Sequence, residues 1–142
     1  MKMAGREQKG LSILVAADNV FLHHYFSLLF DGRHFLKAAV SGSKAISELT
    51  KKPYDLVMIN DYLPDMGPAD LLAAADRCRP DARSVMMLTH REDAGRLVTR
   101  HGAAGVVIKP FTIMDILRVI TRVMPAGSAR GLFSAHALSH IL

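Results

Sequence analysis

In the stretch LVMINDYLPDM, residues 56–66, an apolar run ends in Asn60 and Asp61 just before the turn around Pro64. A carboxylate at that place can act as a nucleophile or a cation ligand, whereas an amide is poor at both. Other apolar runs end in polar groups too. Residues 11–16 lead into Ala17-Asp18-Asn19, residues 84–88 into Thr89-His90, and residues 105–108 into Lys109-Pro110-Phe111. Singly, each polar group reads as a cap on a strand or helix. Together, a carboxylate, an amide, a hydroxyl and an ammonium at the ends of four strands point to one shared crevice.

The intervening segments decide whether these ends can meet. Strands are expected at 11–16, 34–40, 55–59, 84–88 and 105–108. Helices are expected between them: 19–30, opened by Asp18 or Asn19; 41–50, opened by a Ser/Gly cap; 67–78, with Pro68 early; and 91–101, stopped by Gly102. A last helix runs from Thr112 to about Met124, where Thr112 and Asp115 resemble a capping box and Pro125 ends it. Strands that are nearly continuous apolar runs are covered on both faces. The pattern predicts an α/β three-layer sandwich around a five-stranded parallel sheet. In such sheets the working groups lie beyond the carboxyl ends of the strands.

The chain has 142 residues, half of them hydrophobic, enough for one domain with a substantial core. No apolar run approaches the ~20 residues of a membrane helix. The start, MKMAGREQKGLSILVAAD, superficially resembles a secretory signal, but a buried strand explains its apolar run better. One cysteine, Cys78, fits a reducing, cytoplasmic setting. The net charge of +5 permits acidic partners or nucleic acid, yet no dense basic run or recognition-helix motif points to DNA. A flavodoxin-like nucleotide- or flavin-binding protein is a further alternative, and neither GxxxxGK[ST] nor GxGxxG is present to support it.

The pieces ILVAADN, YDLVMINDYLPDM, VMMLTH and GAAGVVIKPF resemble the receiver domain of bacterial response regulators over about residues 11–124. The resemblance implies a flavodoxin-like (βα)5 receiver fold and a phosphotransfer switch. A histidine kinase's phosphoryl group would pass to an aspartate at the end of the third strand. Two acids after the first strand would help hold Mg²⁺, a threonine and the lysine of KP would bond the phosphoryl group, and an aromatic residue on the fifth strand would report the switch.

Carried over by position, the match is incomplete. Thr89 and Lys109 fit their implied roles. The acceptor, four residues before Pro64, falls on Asn60; the acidic pair falls on Ala17 and Asp18; the switch aromatic falls on Val106. Three carboxylates and a lysine would give the pocket a charge of about −2, which a divalent ion offsets. Asp18 and Lys109 sum to about zero, so an Asp18–Lys109 ion pair is expected in place of the metal, with the Asp18 metal position weak and empty. Side chains alternate along a strand, so with Asn60 in the crevice Asp61 is expected to face away or lie in the loop, unless a bulge turns it inward. Asp65 is expected in a turn or capping the third helix.

The leading expectation is a pseudo-receiver in two-component signalling: not an enzyme, without a catalytic residue or cofactor, acting as a phosphorylation-independent protein-interaction module. The alternative is a working phospho-acceptor at Asp61, which would bring Mg²⁺ back. Expected partners are proteins (a histidine kinase, another regulator or an effector), with a homodimer as an option. Arg91, Arg96, Arg100, Arg118 and Arg122 are the candidate partner surface, either for acidic partners or simply as helix solubility. Met58, Met86 and Met87 read as core filling, and His23 and His24 need no function. Residues 1–10 are expected to be loose. Residues 125–142 read as a linker and amphipathic tail, with Phe133, Ala137, Leu138, Ile141 and Leu142 on one face and His136, Ser139 and His140 opposite.

Overall fold

A computed structural model of the chain describes residues 10–30 and 32–125. The expected tail face and residues 1–9 lie outside the described residues. Five strands, β1 (Ser12–Ala16), β2 (Phe35–Ala39), β3 (Leu56–Asn60), β4 (Arg83–Leu88) and β5 (Gly105–Ile108), alternate with α1 (Val20–Leu29), α2 (Gly42–Lys51), α3 (Pro68–Cys78), α4 (Ala94–Thr99) and α5 (Ile113–Val123). The sheet is parallel throughout, in the order β2-β1-β3-β4-β5. This is the expected three-layer α/β fold.

Strand alternation splits the core in two. On one face, Leu56 and Met58 of β3 pack with Phe26 and Leu29 of α1 and with Ile116, Val119 and Ile120 of α5. On the other, Val57 and Ile59 pack with Leu49 of α2, Leu71 and Leu72 of α3, and Leu97 of α4. Each such side chain contributes about 1.5–3 kcal/mol on burial. Met58, Met86 and Met87 are fully buried core side chains, as expected. Gly105 lets α5 approach β5 closely: a Cβ there would lie 2.7 Å from Val119 Cγ2 and 2.9 Å from Val123 Cγ1.

The caps set where the helices start. Asn19 accepts from the N–H groups of Phe21 and Leu22, Ser41 accepts from Lys44, and Thr112 and Asp115 form the full capping box. The fourth helix departs from expectation. Arg91–Asp93 forms a 3₁₀ turn and only Ala94–Thr99 is α-helical. No side chain caps its start, so the first turn closes by the tighter bond from Asp93 N–H to His90 O. The chain leaves it at Gly102, whose φ of 79° is in the left-handed region. Among the described residues, no helix is long and apolar enough to cross a membrane.

Candidate functional site

The mouth of β3 holds the two residues in question. Ile59 pairs with Ala16 and Asn60 with Met87, which sets Asn60 beside Ala17 at the carboxyl end of the sheet. Asn60 is 5% exposed. Its Nδ2 donates to the carbonyl of Tyr62 at 3.3 Å. Its Oδ1 is buried and accepts no hydrogen bond among the described residues. Ala17 is fully buried and offers only a methyl group, while Asp18 is exposed.

Asp61 lies inside the crevice, contrary to the expectation from alternation. Its N–H continues the ladder to Met87 O at 3.0 Å. The next parallel rung would run from Thr89 N–H to the Asp61 carbonyl. The side chain takes that bond instead: Thr89 N–H donates to Oδ2 at 2.6 Å. Lys109 Nζ donates to Oδ1 at 2.8 Å. Alternation governs residues inside the strand, and Asp61 lies just past the end of β3 (Leu56–Asn60). The expected Asp18–Lys109 pair is corrected with it, since Lys109 is committed to Asp61. Burial pushes the Asp61 carboxyl up, but hydrogen bonds from Lys109 and Thr89 outweigh it and hold the group below its ordinary range.

Two contacts near the crevice were not legible in the sequence. His23 Nε2 lies 2.6 Å from Ala17 O. A carbonyl only accepts, so Nε2 donates in this contact, and Nδ1 is buried without a hydrogen-bond partner among the described residues. Asp65 caps α2 rather than α3, accepting from the N–H groups of Gly42 and Ser43 at 2.8 and 2.9 Å. Those two bonds hold its carboxyl below its ordinary range. Met66, next in the chain, closes over Gly42 and leaves no room for a Cβ there. The loop after Asp61 is thus tied at its start by Asn60 and at its end by α2.

These donors do not suit the Mg²⁺ that the resemblance implies. Mg²⁺ needs near-octahedral, mostly anionic oxygen. Both Asp61 oxygens and the Tyr62 carbonyl already accept protein hydrogen bonds. Ala17 supplies no side-chain oxygen, leaving the exposed Asp18 and the neutral Asn60 Oδ1. Among the described residues, no cluster of three His, Cys, Asp or Glu side chains could hold a metal.

On the edge formed by β5 and α5, a groove of about 390 Å³ is bordered by Arg91, Val106, Arg118 and Arg122. Val106 is only partly buried there. Three of the five expected arginines therefore share one surface. Arg118 also pairs with Asp115 at 3.1 Å, Arg96 pairs with Asp93 at 3.4 Å, and neither Arg96 nor Arg100 borders the groove.

No family model matches the chain. The chain is 28% identical, over 106 residues and 73% of its length, to a response regulator receiver protein of Anaeromyxobacter sp. (strain Fw109-5). It is 35% identical, over 80 residues and 56% of its length, to the luminescence regulatory protein LuxO of Vibrio campbellii. It spans only 44% and 17% of those two relatives. A CheY-like receiver domain protein from Methanospirillum hungatei JF-1 superposes with a TM-score of 0.70 at 23% identity, covering 80% of this chain and 92% of that one. The signal receiver domain of an HD domain-containing protein from Pseudomonas fluorescens Pf-5 gives 0.74 at 19% identity, covering 87% and 92%. The chain has the CheY-like, flavodoxin-type receiver fold. The named relatives and the structural neighbours together support a response regulator receiver domain.

Proposed function

We propose that this chain is a receiver module of two-component signalling that works through protein contact and takes up no phosphoryl group. One observation carries the reading. At the position where the resemblance puts the acceptor stands an amide, and the acceptors around it, Asn60 Oδ1 apart, already take hydrogen bonds from protein donors: Lys109 and Thr89 on Asp61, and Asn60 Nδ2 on Tyr62. An amide oxygen is a poor nucleophile toward phosphorus, and phosphoryl transfer rests on positioning and charge neutralisation. The internal Asp61–Lys109 pair does the neutralising here, so the pocket calls for no cation. The module is not an enzyme. Its partners are proteins such as a histidine kinase, another regulator or an effector, and the surface bordered by Arg91, Arg118 and Arg122 suits an acidic one.

The second reading, phosphorylation of Asp61, draws support from the same geometry, because this carboxylate sits in the crevice on Lys109. Against it, Oδ2 is held in the sheet as a ladder bond and the implied metal site is incomplete. Intact mass after incubation with Mg²⁺ and acetyl phosphate separates the two, with Asp61→Asn in parallel. Unchanged mass supports the contact module. Added phosphate that disappears in Asp61→Asn replaces it with the second reading, and added phosphate that persists refutes both.

A further inference from the structure

We propose that the β2 edge of the sheet, the edge opposite the β5–α5 surface, takes up an extended acidic segment of a partner protein as a sixth strand. Phe35 N–H donates to Leu11 O at 2.9 Å, and Ala39 O accepts from Ala17 N–H at 3.0 Å. The odd-numbered residues of β2 therefore bond to β1, and the N–H and C=O groups of Leu36 and Ala38 point away from the sheet. Among the described residues no strand pairs with that side of β2. Such a row of free donors and acceptors is a template for an added strand. Along it, between β2 and α2, runs a groove of about 380 Å³ lined by Lys37, Val40, Lys44, Ser47, Glu48 and Lys51.

Charge selects the occupant. The groove sets three ammonium groups against the single carboxylate of Glu48. Glu48 lies 3.8 Å from both Lys37 and Lys51, whose side chains are 48% and 66% exposed, so solvent screens both pairs and the lysines can turn to an incoming carboxylate. On the other side of β2, Leu36 joins the α1–α5 core while Ala38 is exposed. A strand alternating acidic and small apolar residues matches both sides at once. A second copy does not fit, because β2 against β2 would bring Lys37 and its neighbours onto their own like charges. The chain's own ends do not fit either: residues 126–142 contain no Asp or Glu, and residues 1–9 carry Lys2, Arg6 and Lys9 against Glu7. Nucleic acid matches the lysines alone, since a phosphodiester backbone only accepts hydrogen bonds and cannot continue a ladder of alternating donors and acceptors.

Titration of the full chain with a blocked peptide of about eight residues alternating Glu and Val, followed by proton–nitrogen correlation spectra, tests this. The expected result is saturable shifts of the Leu36 and Ala38 amides, with their hydrogen exchange slowed at least about tenfold in the complex. Lys44→Glu, on the exposed side of α2, should raise the dissociation constant about tenfold or more. Arg83→Glu, which changes the net charge equally but lies at the start of β4, should leave it unchanged. Ala38→Pro removes an outward N–H that makes no internal ladder bond and should abolish binding; its melting curve verifies the fold, and Lys44→Glu carries the test should that fold be lost. The proposal is overturned by no binding at millimolar peptide, or by equal weakening in Arg83→Glu. It is also overturned by equal shifts of the Leu36 and Ala38 amides with oligothymidylate or with the peptide N-methylated at alternate amides, either of which would mark a general anion surface.

Discussion

Replacing Asp61 by Asn tests the pocket most directly. The carboxylate accepts from Lys109 Nζ at 2.8 Å and from Thr89 N–H at 2.6 Å. An amide offers one oxygen and turns an N–H toward the other donor. One charge-assisted bond is lost and one donor is left facing a donor, for which about 1.5–3 kcal/mol is the usual range. The Asp61 and Lys109 side chains are 22% and 29% exposed, so solvent screens the pair and Lys109 can turn to water. The expected loss is therefore at the low end, about 1–2 kcal/mol, or a fall in melting temperature of roughly 3–8 °C for a domain of this size.

The pH dependence gives the sharper signature. The folded-state carboxyl of Asp61 titrates below its ordinary value of 3.8. Its contribution is fully present above the unfolded value and is lost as pH falls through the folded one. Urea unfolding of both proteins across this range should show a constant deficit for Asp61→Asn near neutrality that closes in acid. Equal stability at neutral pH, or a deficit that persists unchanged in acid, would refute the ion pair as the charge balance of the pocket.

Asn60→Asp should be destabilising by about 2–4 kcal/mol at neutral pH, because it buries a second carboxylate and sets an oxygen against the Tyr62 carbonyl in place of Nδ2. Millimolar Mg²⁺ should restore part of that stability and leave the parent chain unaffected; thermal melts with and without the ion check both, and a parent that responds as strongly contradicts the assignment. Gly105→Ala should cost about 1–3 kcal/mol, since its Cβ would sit 2.7 Å from Val119 Cγ2. Pairing it with Val119→Ala should give a positive coupling in a double-mutant cycle by urea unfolding, and strict additivity would count against the close approach of α5. Thr112→Ala removes the hydroxyl that accepts from Asp115 N–H and should cost about 1 kcal/mol, read from the same curves.

What the sequence disclosed follows the range of each interaction. Strands buried on both faces are written as unbroken apolar runs, and caps at Asn19, Ser41 and Thr112 act within three residues, so their effects could be read locally. The meeting of Asn60, Thr89 and Lys109 at one end of the sheet followed from the alternation of elements. The fate of Asp61 did not, because it turns on the donors that meet it past the end of β3, and Thr89 lies 28 positions away. Asp65 reads locally as a turn residue or cap of the third helix for the same reason: its partners, Gly42 and Ser43, lie 23 and 22 positions earlier. The 3₁₀ start of the fourth helix reflects a missing cap at His90, a signal that was present and outweighed by the longer pattern behind it.

The pocket's composition bears on how such a module can signal. A switch needs a ligand that binds one conformation more tightly than another, and a shift from mostly one state to mostly the other takes about 5.5 kcal/mol of differential binding. In a phosphorylated receiver a new dianion in the crevice would supply it. On the proposed reading, the amide at position 60 is no nucleophile, and Lys109, paired with Asp61, is not free to meet that charge. The tie from Asp65 and Met66 to α2 further fixes the loop that a switch would have to move. On that reading the differential energy comes from partners that recognise the standing conformation. In such a module changes to Asp61 or Lys109 act on stability first, and on partner binding only insofar as they disturb the face that β5 and α5 present.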